Sequence, residues 1–211
     1  MKDIPLFKVY VDEKAIERVV QTLRSGYIGQ GSVVEEFETY LKEYFRQDYT
    51  ITLNSATSAE HLARHLLKAP KKSVEGFGVG FSESNWPGIQ EGDEILATPL
   101  TCTASNFPIV LNGFKIKWVD IDPQTLNMDL DDLARKITEK TKAIMIVHWG
   151  GYPNDLDKLH EIQLQAYQMF GFKPAIIEDC AHAMGSKYKG KLIGTHGNIC
   201  SFSLQAIKHI T

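Results

Sequence analysis

Residues Ile176–Thr211 read IIEDCAHAMGSKYKGKLIGTHGNICSFSLQAIKHIT. Two short apolar runs frame this stretch. Ala175–Glu178 leads into Asp179, and Asn198–Phe202 leads into Ser203. Each run is bounded by small and turn-forming residues, which predicts a buried strand. His182 follows Asp179 closely within a small-residue turn. Lys208 lies five residues beyond Ser203, in a segment (SFSLQAIKHIT) otherwise nearly free of charge. An acid at one strand end, a hydroxyl at another and a lysine just beyond form the constellation against which the rest of the chain is read.

Working outward, apolar positions spaced by three and four predict helices over Asp12–Ser25 and Val33–Phe45, with the glycine-marked turn Gly26–Gly31 between them. The apolar run Tyr49–Leu53 predicts a strand, followed by Asn54-Ser55-Ala56-Thr57-Ser58 and a helix over Ala59–Leu67. After residue 92 strands and helices alternate. Strands are expected at Glu94–Thr98, Lys115–Asp120 and Ala143–His148, and helices at Ala104–Leu111, Leu130–Ile137 and Leu156–Phe170. Asp129 is placed to cap the helix that follows it. Apolar strands alternating with helices predict an α/β fold of three layers, αβα, with a mostly parallel central sheet covered on both faces. In such sheets ligands bind at the carboxyl ends of the strands. Thr57, Ser58, Asp179 and Ser203 all fall at such ends. The segment Lys68–Gly92 reads as a long surface loop. Its glycines at 76, 78 and 80 have no strand before them and no helix after them, so they do not form a dinucleotide-binding turn.

The chain has 211 residues and a formal net charge of −3, with both signs spread along its length. That balance excludes a nucleic-acid or membrane-surface partner held by bulk charge. No apolar run approaches the ~20 residues of a membrane span, and the N-terminus lacks a basic flank leading into an apolar core. The three cysteines, Cys102, Cys180 and Cys200, are widely separated and fit a reducing compartment. A soluble cytoplasmic α/β protein is the expectation.

The residue types suggest a pyridoxal 5'-phosphate site. Free N–H groups at a helix N-terminus, with the hydroxyls of Ser55, Thr57 and Ser58, can cradle a phosphate. The same serine or threonine can equally serve only as a helix cap. Asp179 can pair with a pyridine nitrogen and keep it protonated, so that the ring accepts electrons, or be an ordinary loop acid in a capping role. Lys208 can condense with the cofactor aldehyde, or be a solvated surface lysine like most others. His182 can contact the ring or its phenolic oxygen, or make a structural polar contact. His61 and His65 lie one helical turn apart, but neither a third ligand nor a zinc-protease motif accompanies them, so no metal is expected. His148 ends a central strand, bordering the site or bonding within the sheet.

Taken together, these segments resemble the DegT/StrS family of pyridoxal phosphate-dependent nucleotide-sugar aminotransferases, within fold type I. The likeness is carried by LRSGYIGQGSVVEEFE (Leu23–Glu38), the Asn54–Ala59 loop, GDEILATP (Gly92–Pro99), TCTASN (Thr101–Asn106), Trp118–Asp122, VHWGGYPNDLD (Val147–Asp157) and Ile177–Ser203 with Lys208. The resemblance implies that residues 1–211 form the cofactor-binding large domain. Lys208 would be the Schiff-base lysine and proton shuttle, and Asp179 the partner of the pyridinium. Ala56, Thr57, Ser58 and Ser203 would hold the phosphate, and Cys102 and His182 would lie against the ring. The implied reaction moves an amino group, usually from glutamate, to a keto group on a nucleotide-linked sugar, in a homodimer. The Gly26–Gly31 turn is a candidate substrate contact.

The sequence departs from the family pattern in four places. Cys102 stands where an aromatic residue commonly stacks on the ring, and His182 where glutamine is usual. The loop from Lys68 to Gln90 is longer than the usual connection. Family members also continue past the position of Thr211 into a smaller C-terminal domain, so a truncated large domain lacking it is expected. Two alternatives accompany the aminotransferase reading. One is a catalytically incomplete remnant. The other is a sugar dehydratase of the same fold, a group with histidine at the lysine position. Lys208 argues against the dehydratase, although His209 is adjacent.

Overall fold

A computed structural model of the chain describes residues 8–68 and 86–210. The chain divides into two compact units, one formed by Met1–Asn54 and Leu204–Thr211, the other by Ser55–Ser203. Most of the long loop expected between Lys68 and Gly92 lies outside the described residues.

The larger unit is built on a sheet of five strands. These are β1 (Glu94–Ala97), β2 (Lys115–Trp118), β3 (Thr141–Val147), β4 (Ala175–Asp179) and, after the short hairpin of β5 (Lys187–Tyr188) and β6 (Lys191–Leu192), β7 (Ile199–Ser201). Their order is β2-β1-β3-β4-β7, and every neighbouring pair is parallel. The chain moves outward from β1 to β2, then returns past β1 to β3. The order therefore reverses between β1 and β3, where sheets of this kind open a crevice at their carboxyl ends.

Side-chain alternation along the strands makes the three layers. Ile95, Ala97, Ala143, Met145, Ala175 and Ile177 face one side and pack with Ala63 and Leu67 of α3 (Ala56–Leu66 and its C-cap) and Ile109 of α4 (Thr103–Leu111). Leu96, Ile144, Ile146 and Ile176 face the other and pack with Leu130 and Leu133 of α5 (Leu130–Lys136), and with Leu156, Leu159 and Ile162 of α6 (Leu156–Phe170). Strands buried on both faces explain the near-continuous apolar run of β3. Asp129 caps α5 as the sequence indicates, accepting from the N–H groups of Asp131 and Asp132. The hairpin β5–β6 is antiparallel. Two-residue strands are too short to show an alternating pattern, and the turn Lys189-Gly190, with φ of 47° and 82°, is what closes it.

The smaller unit carries α1 (Glu13–Ser25) and α2 (Ser32–Phe45), linked by an ion pair between Arg18 and Glu36. Asp12 caps α1 and Gly26, at φ 76°, ends it. The strand expected at Tyr49–Leu53 does not form. A strand exists only as part of a ladder, and the N–H and hydroxyl of Thr52 both go to the Glu38 carboxylate instead, at 2.6 and 2.8 Å. These two bonds, the backbone one first, hold Glu38 below the usual carboxylate range. Among the described residues no helix is long and apolar enough to cross a membrane.

Candidate active site

The carboxyl ends of the parallel strands gather most of the residues singled out by the sequence. Beyond β1 lie Thr101 and Cys102, beyond β3 His148, at the end of β4 Asp179 with His182 just after it, and beyond β7 Ser203. The N-terminus of α3 supplies Ala56, Thr57 and Ser58, all half-buried.

Asp179 is the last residue of β4 and is buried, at 7 % exposure. An acid can lie there because its oxygens are occupied by donors. Ala181 N–H donates to Oδ1 at 2.9 Å, forming a local turn just after the strand, and the Ser105 hydroxyl donates to Oδ2 at 2.5 Å. Because a carboxylate only accepts, Ser105 Oγ must use its proton on Asp179. It therefore accepts from Thr101 Oγ1, 2.6 Å away. Each carboxylate oxygen keeps capacity for one more donor, as a protonated ring nitrogen would be.

At the start of α3, Ser55 is the N-cap, accepting from Ser58 N–H at 3.1 Å, with the two hydroxyls 3.0 Å apart. The capping role and the phosphate role coexist, because the N–H groups of Ala56 and Thr57 have no acceptor within the helix. Cys102 is exposed and is the N-cap of α4 without a side-chain cap bond. His182 is half-buried. Its Nδ1 accepts from Gly150 N–H at 3.3 Å, and its ring meets Trp149 edge-on at 5.5 Å between centroids. The backbones approach so closely that a Cβ on Gly151, at φ 82°, would lie 2.6 Å from the His182 carbonyl oxygen. A glycine is required there.

Beneath the strand ends lies a buried polar set that sequence reasoning missed. Glu60 and Arg64 of α3 are 1 % and 0 % exposed. Arg64 Nη1 donates to Glu60 Oε2 at 2.5 Å and Nη2 to the Ser105 carbonyl at 2.7 Å, while the Ser201 hydroxyl donates to Glu60 Oε1. Burial, opposed by Arg64 and assisted by the charge of Asp179, pushes Glu60 up to about 7. One signal was available: opposite charges at i, i+4 sit on the same stripe as the core residues Ala63 and Leu67.

His148 bonds within the sheet, one of the two roles read for it from the sequence, and its partner there, Glu178, was missed. His148 Nδ1 accepts from Asn154 N–H at 3.1 Å, so Nε2 carries the proton and meets Glu178 Oε2 at 2.8 Å; Asn198 donates to the other oxygen at 2.5 Å. Cys180 lies beside them, its thiol pushed up by burial. The ligand atoms of His148, Glu178 and Cys180 fall within 4.8 Å of one another, yet the imidazole and carboxylate are spent on hydrogen bonds. His61 Nδ1 accepts from Asn112 at 3.2 Å, and His65 is exposed.

Lys208 and the Gly26–Gly31 turn belong to the smaller unit. Lys208 is half-buried, its N–H donating to the Gln205 carbonyl at 2.7 Å, and it lines a surface hollow with Val9, Tyr10 and Ile210.

The sequence pattern of the DegT/DnrJ/EryC1/StrS aminotransferase family matches residues 9–211. The fold superposes on the crystal structure of AtS13 from Actinomadura melliaura with a TM-score of 0.86 and 48 % identity, over 99 % of this chain and 51 % of that one. GDP-perosamine synthase of Escherichia coli O157:H7 is 37 % identical over 100 % of this chain and 51 % of its own. The E. coli GDP-4-keto-6-deoxy-D-mannose-3-dehydratase with bound hydrated PLP superposes with a TM-score of 0.82 at 27 % identity, over 100 % of this chain and 49 % of its own. The chain thus spans about half the length of the relatives it matches.

Proposed function

This chain belongs to the DegT/DnrJ/EryC1/StrS aminotransferase family, and on that premise we propose that residues 1–211 are the cofactor-holding large domain of a nucleotide-sugar aminotransferase. The reaction moves an amino group from glutamate to a keto group on a nucleotide-linked sugar, with pyridoxal 5'-phosphate as cofactor, in a cytoplasmic homodimer. The observation that carries this reading is the Asp179 carboxylate, buried at the end of β4, held by Ser105 and Ala181, and still able to accept one more donor.

The residues present fit that cofactor. When bound, it supplies an aldehyde that condenses with amines and a ring that draws electrons from the adjacent carbon. Asp179 binds the ring nitrogen and keeps it protonated, because a carboxylate beside it favours the charged form. The first-turn N–H groups of α3, with the hydroxyls of Thr57, Ser58 and Ser203, bind the phosphate. His182 contacts the ring oxygen. Cys102 would lie against the ring face, where a thiol gives no aromatic stacking. Lys208 provides the attachment amine and carries the proton, as base and then as acid.

The test is chemical. Borohydride reduction of the protein with pyridoxal phosphate is expected to fix the cofactor on Lys208, read by peptide mass mapping, and Lys208→Ala is expected to abolish the fixation. Labelling at another lysine, unchanged in Lys208→Ala, would remove Lys208 from this role.

A further inference from the structure

We propose that Ser105 and the buried pair Glu60–Arg64 are positioning residues that fix the Asp179 carboxylate, and its distance from the first turn of α3, for one rigid ligand. This rests on the reading of Asp179 and α3 as the two anchors of pyridoxal phosphate.

The contacts close a ring. Asp179 and Ser201 are register partners on β4 and β7. The Ser201 hydroxyl donates to Glu60, Glu60 accepts from Arg64, Arg64 donates to the Ser105 carbonyl, and the Ser105 hydroxyl donates back to Asp179. Arg64 also donates to the Glu60 carbonyl at 2.6 Å, which locks its guanidinium along the helix. The ring joins α3, α4, β4 and β7. Glu60 stands one turn after Ala56, so the helix that presents the phosphate-binding N–H groups is the helix the ring fastens to Asp179. A ligand bound by phosphate at one end and ring nitrogen at the other requires that span to be constant.

Stability alone gives no reason for the pair. Removing two charges from water is costly, and replacing a buried ion pair with well-packed apolar residues is often neutral or stabilising. Leucines at 60 and 64 would simply extend the cluster that already holds Ala63, Leu67, Ile95 and Ile109. What apolar side chains cannot do is hold the Ser105 carbonyl and the Ser201 hydroxyl in fixed directions.

The experiment compares Glu60→Leu/Arg64→Leu, Ser105→Ala and Glu60→Gln with the parent protein. It uses crystal structures of the cofactor-free proteins, equilibrium binding of pyridoxal phosphate, and the ¹⁵N shift of the labelled ring nitrogen. The double variant is expected to melt at or above the parent temperature, yet to lose the Ser105–Asp179 bond and bind about tenfold more weakly, the order of one hydrogen bond to a charged group. The ring-nitrogen shift is expected to move toward the unprotonated value. Ser105→Ala is expected to do the same without touching the ion pair, and so tests the idea even if the double variant does not fold. Glu60→Gln, whose amide oxygen still accepts from Arg64 but whose amide nitrogen can only donate toward Ser201, is expected to fall between the parent and the double variant. A double variant or Ser105→Ala that keeps the Asp179 position overturns the proposal, as does one with parental affinity and ring-nitrogen shift. Failure of the parent protein to bind pyridoxal phosphate would instead overturn the cofactor reading, and the Asp179 position in the variant crystals would still judge the brace.

Discussion

Helix α6 buries Leu156, Leu159, Ile162 and Ala166, whereas α1 buries nothing: Ile16, Val19 and Leu23 are 44 %, 58 % and 62 % exposed. Locally the two are alike. Each starts on an aspartate N-cap, repeats apolar residues at three and four, and ends on a glycine in the left-handed region. Caps and period are therefore sufficient to define a helix, and they do not say what covers its apolar face. Helix α6 lies on a sheet whose strands are apolar on both sides. Among the described residues of its own unit, the stripe of α1 has no comparable cover. The interior of the larger unit should accordingly be sensitive to substitution and the α1 surface tolerant of it.

Three experiments sharpen or break that contrast. All three tryptophans, Trp86, Trp118 and Trp149, lie in the larger unit, so tryptophan fluorescence during urea unfolding reads that unit alone. The largest effect is expected from Arg64→Ala, which leaves Glu60 buried without its partner and should cost about 3–5 kcal/mol. A cost below ~1 kcal/mol would mean that Glu60 is readily hydrated. Next, Leu159→Ala, at a fully buried position, should cost about 2–5 kcal/mol. Leu23→Ala in α1 should move the fluorescence transition by less than about 0.5 kcal/mol. Comparable costs at the two leucines would break the comparison.

A pH dependence tests the buried pair separately. Native Glu60 keeps its proton up to about 7, against an ordinary value of 4.5. Between those limits the folded protein binds more protons than the unfolded chain, so this group makes stability fall as pH rises from 4.5 through 7. Glu60→Gln should remove that part of the slope, and an unchanged slope would show that Glu60 stays ionised.

Much of the sheet was legible because a strand buried on both faces needs an unbroken apolar run, as in AIMIVH at Ala143–His148. Helices α1, α2, α4, α5 and α6 were legible in the sequence, α1 and α2 from their apolar period and α5 with its Asp129 cap. The run at Tyr49–Leu53 misled because it has strand composition, and composition does not create a neighbouring strand. The β5–β6 hairpin was missed because its strands are only two residues long. At the site, Asp179 stood out as an acid ending an apolar run, and Thr57 and Ser58 as hydroxyls opening a helix. Ser105 gave no such sign. Its partner lies 74 positions away, and a serine inside a helix looks like any other.

The sequence by itself determined where most of the helices and the parallel strands lie, which of their ends carry chemistry and which family the chain resembles, because period, capping and short motifs are local properties of a polypeptide. Only the tertiary structure decided that Glu60 and Arg64, an ordinary i, i+4 pair on paper, are sealed beneath Asp179, and that Ser201, 141 residues from Glu60, completes their bonding. Burial is set by what the rest of the chain packs over a residue. The value of a charge, and the direction in which a hydroxyl points, follow from that burial.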